Sequence, residues 1–315
     1  SLVGSEMCIR DSIKLGGLLM HCNFDLSAAL SKARPGDTIM IPEGTYRGKF
    51  TLSVPNVTLS GSDPYKTVII NNDFAKKIHS DGLEYNTFRT YTLAVTAPGI
   101  TLKNLSIVND AGDPSSKGQC VALTVYADSF SASDVVLDST QDTLFCGPLP
   151  DDLITRYIDF LPDDIRYAEG SFKHIFSSCV IKGSVDFIFG CADALFDKCS
   201  LISVNDGRNH GFVAAPAHSL KQTVGFVFFN CNFESIGLDD SSVFLARPWR
   251  DYGKCSFIDC SYAPHINSLG FDKWNDTERN RTARFSELPL LKGREPWAKP
   301  LSRAEADALL SYFRR

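Results

Sequence analysis

Four times between residues 176 and 260 the chain repeats one phrase, an aromatic side chain followed three positions later by cysteine: FSSC, FDKC, FFNC and FIDC, ending at Cys179, Cys199, Cys231 and Cys260. The separations are 20, 32 and 29 residues. A phrase that keeps its chemistry while its spacing varies suits a β-solenoid, in which each coil returns to the same corner and extra residues are taken up by loops. A β-sandwich also needs many short strands, but it gives no reason for the repeated phrase. Elsewhere the chain reads as short β-rich runs (TIMIPEG, VTLSG, TVIIN, ITLKNLSIVND, VALTVYA, VDFIFG, SVFLARPW) that mostly end in Gly, Asn, Asp or Ser. Long amphipathic helices do not alternate with them, which argues against βαβ units. A residue recurring at one place in a coil is a stacking position, so the four cysteines are predicted to be core thiols behaving as small hydrophobes. The ten cysteines of the chain form neither a CxxC pair nor a zinc pattern.

The ends differ from the middle. The opening SLVGSEMCIRDS lacks the basic and then apolar pattern of a signal peptide, and residues 1–21 carry no structural expectation. FDLSAALSKAR, 24–34, is predicted to be a short helix stopped by Pro35-Gly36-Asp37. The solenoid is expected over 22–300, with an excursion at 147–169 that is polar and rich in proline. A flank at 301–315 holds a helix over 302–313, capped by Ser302 with Glu305 three positions on. The net charge of −5 and the absence of a Lys/Arg block exclude a nucleic-acid binder. No apolar run is long enough to span a membrane.

Chemistry is suggested where polar residues interrupt strand-like apolar ones. Asp186, between Val185 and Phe187-Ile188-Phe189, is costly to bury unless paired, and Arg247 is its natural partner. A purely structural ion pair explains those two residues equally well. Coil counting adds to them. Asp142 and Asp186 are 44 residues apart, and removing the excursion leaves about one coil between them; Gln119 precedes Gln141 by 22, again one coil. Gln119, Gln141, Asp142 and Asp186 are therefore predicted to share one face. Two neighbouring carboxylates can split their pKa values for acid–base work. Two amides can donate to an oxyanion, and an Arg-held carboxylate can serve as nucleophile. That set suits acyl transfer. None of the six histidines lies in these stretches, and neither a phosphate loop nor a GxSxG elbow is present.

The stretches GTYRG, QCVAL, QDTL, DFIFG and LARPW, in this order, resemble the GxYxE, QAVAL, QDTL, DFIFG and LGRPW of the pectin methylesterases, carbohydrate esterase family 8. The resemblance runs from about residue 22 to about 300. It implies an all-β fold, a single-stranded right-handed parallel β-helix. It also implies a carboxylic ester hydrolase releasing methanol from the C6 methyl esters of galacturonate in pectin or methylated oligogalacturonate. Asp186 would be the nucleophile, Asp142 acid and then base, Gln141 and Gln119 the oxyanion donors, and Arg247 the partner orienting Asp186. Trp249, Phe189, Phe145 and Val185 would line the sugar cleft. Neither cofactor nor metal is implied, and a monomer is expected. Gly48 stands where the family has Glu, and Ala246 where it has Gly. The excursion at 147–169 follows the QDTL stretch and is expected to border the groove. Rival readings are a thioesterase on the same scaffold, a glycoside hydrolase, and a non-catalytic polysaccharide-binding helix. A polymeric substrate favours a secreted or periplasmic enzyme; the thiols leave room for a cytoplasmic one acting on imported oligomers.

Overall fold

In a computed structural model of the chain, the described residues are 2–3, 24–149, 154–155, 158 and 171–315. Asp25 caps a helix, Leu26–Ser31, shorter at both ends than the predicted span, and Leu26 and Leu30 join the core. From Thr38 onward the chain winds as a right-handed parallel β-helix. Strands stack in register on those one coil away, so Phe176 pairs with Phe196, Phe196 with Phe228 and Phe228 with Phe257. Three sheets result among the described residues, of eleven, eight and seven strands. The seven-stranded sheet carries the site. Its strands, from the N-terminal end, are Phe50–Leu52, Leu93–Val95, Leu123–Val125, Leu144–Cys146, Val185–Gly190, Gly211–Pro216 and Val243–Ala246.

One corner keeps these coils in phase. Asn56, Asn104, Asp134, Ser178, Lys198, Asn230 and Asp259 all adopt φ between 52° and 60°. This is the left-handed region that Asn and Asp tolerate better than other side chains. Each donates its backbone N–H to a carbonyl of the next coil at 2.8–3.3 Å. The residue that follows points inward: Val57, Leu105, Val135, then Cys179, Cys199, Cys231 and Cys260. All four cysteines of the repeated phrase are therefore thiols at one stacking position, fully buried except the half-buried Cys260. The aromatics of the phrase also stack. Phe176, Phe196, Phe228 and Phe257 lie at centroid spacings of 5.0, 4.7 and 4.8 Å with planes within 11°, close to the spacing of the strands that carry them.

One apolar core extends from Leu26 to Ala298. The C-terminal helix, Arg303–Phe313, begins with the predicted capping box of Ser302 and Glu305. It buries Ala306, Leu310 and Phe313 against Val227 and Ile258 on the outer face of the eleven-stranded sheet. Among the described residues no helix is long and apolar enough to cross a membrane.

Candidate active site

Asp142 and Asp186 occupy the same place on neighbouring coils: Leu144 pairs with Ile188, and Asp142 N–H donates to Val185 O at 3.1 Å. Gln119 lies one coil earlier, where Cys120 N–H reaches Gln141 O at 3.0 Å. Both aspartates are left-handed, Asp142 at φ 64° and Asp186 at φ 52°. At Asp186 the pairing with Gly211–Pro216 slips between Val185 and Ile188. Such a bulge re-aims side chains. Phe187 and Ile188, although consecutive, both enter the core, while Phe189 and the Asp186 carboxylate turn toward the outer face.

Arg247 follows the strand two coils on and grips both oxygens of Asp186, Nε to Oδ1 at 2.8 Å and Nη2 to Oδ2 at 2.6 Å. A forked pair of this kind fixes direction as well as charge. Aromatic faces sandwich the guanidinium, with Phe212 at 3.8 Å and Trp274 at 4.1 Å. Among the described residues, Asp142 has no such cation of its own. Burial first, and then the charge of Asp186, push its carboxyl well above the usual value, and Arg247, Arg208 and a hydrogen bond from Gln141 only partly offset this. One carboxylate is thus held in an ion pair while its neighbour tends to keep a proton.

These groups open into a cleft of about 190 Å³ lined by Gln119, Gln141, Asp142, Asp186, Arg247, Phe189 and Trp249, together with Thr87, Phe88, Ala215 and Trp274. Two of the expected lining residues stand elsewhere. Phe145 is fully buried one coil behind Phe189, wedged among Phe88, Tyr126 and Phe189 at 5.1, 5.2 and 5.0 Å. Val185 is buried, pairs with Phe212 and does not reach the cleft. Four lining residues escaped the sequence. Thr87 and Phe88 come from a 3₁₀ turn in the loop before Leu93–Val95, Trp274 from a left-handed position beyond the last cleft strand, and Ala215 from within Gly211–Pro216. Loops carry no period, so only Ala215, four residues beyond the start of a recognisable strand, had a signal that coil stacking could have used.

Ala246 ends its strand fully buried, opposite Ala214, and Gly48 lies beside Phe50, outside the cleft lining. His218 lies apart from the cleft: it is buried, its Nε2 meets Ala192 O at 2.9 Å, and burial pushes its pKa down to about 4. Among the described residues no cluster suits a metal ion. Most of the 147–169 excursion lies outside the described residues. Its described Leu149 and Ile154 pack on the aromatic group of Phe88, Tyr126, Phe145 and Phe189 behind the cleft.

The model of the Pectinesterase family matches residues 22–148 and 162–291, leaving out most of the excursion. Among curated relatives, the chain is 32% identical over 288 residues to pectinesterase QRT1 of Arabidopsis thaliana, covering 86% of this chain and 67% of that protein. It is 29% identical to putative pectinesterase 11 of the same plant, with coverages of 87% and 68%. Among solved structures it resembles a pectin methylesterase in complex with a hexasaccharide, at 26% identity and a TM-score of 0.74 over 90% of each chain. It also resembles the pectin methylesterase from Yersinia enterocolitica, at 25% identity and a TM-score of 0.73, over 90% of this chain and 95% of that one.

Proposed function

The chain belongs to the pectinesterase family, and from that premise we propose that it hydrolyses the C6 methyl esters of pectin through Asp186 and Asp142. The observation that carries this reading is the unequal pair: Asp186 forked to Arg247, and Asp142 buried beside it with its carboxyl pushed up, in one cleft with Gln119 and Gln141. The Asp186 carboxylate attacks the ester carbonyl, and the oxyanion is met by the amides of Gln119 and Gln141. As the C–O bond to the methoxy group breaks, Asp142 gives its proton to the leaving oxygen and methanol departs. Asp186 is now acylated and has lost its charge, so the repulsion that added to burial in raising Asp142 is relieved. Asp142 can then take a proton from water, whose oxygen attacks the acyl carbon and releases the galacturonate carboxylate. Phe189, Trp249 and Trp274 offer the aromatic faces on which a sugar ring can lie.

Methanol release from methylated pectin, measured beside an acyl-CoA and unmethylated polygalacturonate, tests the reading. Turnover of pectin alone is expected. Cleavage of the thioester, or of the polygalacturonate backbone, in its place would overturn it. The polymeric substrate supports a secreted or periplasmic enzyme, which cell fractionation would check.

A further inference from the structure

Arg208 stands behind the cleft, outside its lining, in the loop between Ser200–Val204 and Gly211–Pro216. The loop is tightly built. Asn205 Oδ1 accepts from the N–H groups of Gly207 and Asn209, Asn205 Nδ2 donates to Gly237 O at 2.7 Å, and Asn209 Nδ2 donates to Asp239 at 2.5 Å. Asp206 beneath it is almost wholly buried, its side chain 1% exposed, and takes Nε and Nη2 of Arg208. Burial alone would raise the Asp206 carboxyl, but hydrogen bonds from Arg208 and Ser184 hold it below its usual value. With two nitrogens so committed, Nη1 is aimed in one direction and donates to Oε1 of Gln141 at 3.2 Å.

We propose that Arg208 is a positioning residue for the esterase reaction, fixing which end of the Gln141 amide faces the cleft. A guanidinium has five donors and no acceptor, so the atom of Gln141 turned toward it must be the carbonyl oxygen. The NH2 end is thereby turned to the opposite side, where it meets Asp142 and where the oxyanion develops. Without Arg208 both amide orientations are open, and the flipped one presents a carbonyl oxygen to the developing negative charge. Beyond the charge it contributes near Asp142, Arg208 acts through Gln141 and touches no reacting atom. The proposal rests on the reading of Gln141 as an oxyanion donor, and its test separates the two.

Removing Arg208 alone would strand the buried Asp206 charge, so the informative variant is Arg208→Met combined with Asp206→Asn, in wild-type and Gln141→Ala backgrounds. With methylated pectin, the pair is expected to lower kcat about tenfold in the wild-type background, a fraction of what loss of a whole oxyanion donor removes. KM should stay within about twofold, because Arg208 lies outside the lining. In the Gln141→Ala background the pair should change kcat by less than about twofold, since there is no amide left to orient. Arg208→Lys with Asp206 intact keeps a donor-only group and should recover most of the rate. Equal loss in both backgrounds, or none in either, overturns the proposal. If Gln141→Ala itself turns over normally, it is the oxyanion reading that fails.

Discussion

Two forked arginine–carboxylate pairs lie at different stations of the same solenoid. At the C-terminal end Arg294 binds Glu287 through Nε and Nη2, both at 2.8 Å, with side chains 4% and 2% exposed. In the cleft Arg247 binds Asp186 in the same fork, with side chains 13% and 10% exposed. The surroundings separate them. Glu287 also accepts from Leu291 N–H, and Arg294 donates to the carbonyls of Asn267 and Ser268 under the ring of Tyr262, so the fork is enclosed. Asp186 has a second carboxyl for a neighbour, a left-handed backbone, a bulge and open space in front of it. An ion pair becomes chemical equipment through what is left facing it. The bond between the two charges is the same in both places.

Substitution should exchange the consequences. Asp186→Asn is expected to abolish methanol release, by at least about 10⁴-fold, while losing less thermal stability than its counterpart. Glu287→Gln, which leaves Arg294 enclosed without its charge, should lose about 3–5 kcal/mol in denaturant unfolding, with kcat of the folded fraction within about twofold of wild type. If Glu287→Gln is as inactive as Asp186→Asn while still folded, the distinction between the two pairs collapses.

Gln141→Ala should reduce kcat by about 10² to 10³ without unfolding the protein, as circular dichroism would verify. Trp274→Ala removes one of the two aromatic faces on Arg247, where Arg294 has the ring of Tyr262; a fall of about tenfold in kcat/KM is expected. The gentlest probe is pH. Asp142 has a raised carboxyl in the folded state, so above the unfolded value of about 4 the native protein keeps a proton that the unfolded chain has lost. Unfolding then releases a proton, and stability falls as pH rises toward the folded value, by up to about 1.4 kcal/mol per unit. Below the unfolded value both states are protonated and the effect vanishes. Asp142→Asn should flatten that slope in denaturant melts between pH 4 and 8, and an unchanged slope would put the proton elsewhere.

The sequence made legible whatever a coil repeats or a strand cannot hide. The aromatic-x-x-Cys phrase pointed to the stacked corner because its two side chains recur once per turn. Asp186 was visible because a carboxylate amid Val185, Phe187 and Ile188 demands a partner, and Arg247 was at hand in another strand phrase. The aspartates could be set on adjacent coils by subtracting the excursion. Phe145 and Val185 were placed at the cleft by resemblance alone, which does not show that Phe145 packs beneath Phe88 and Phe189 or that Val185 is buried opposite Phe212. Arg208, Phe88, Thr87 and Trp274 stayed hidden in loops whose landing points depend on backbone turns, such as φ 72° at Trp274, that no periodicity announces.

The left-handed corner has a bearing on how such a chain tolerates change in length. The cysteines that follow it are separated by 20, 32 and 29 residues, yet the strands on either side of the corner remain in register. Each passage through the corner resets the phase, so residues gained or lost in a loop are absorbed within one turn and never handed to the next. An assembly drawn from five coils, with Gln119, Gln141 and Asp142, Asp186, Arg208 and Arg247 spread over 129 positions, can therefore keep its alignment while the loops around its cleft vary freely. The fold separates the coordinates of its chemistry from the length of its surface, and that leaves the surface open to revision.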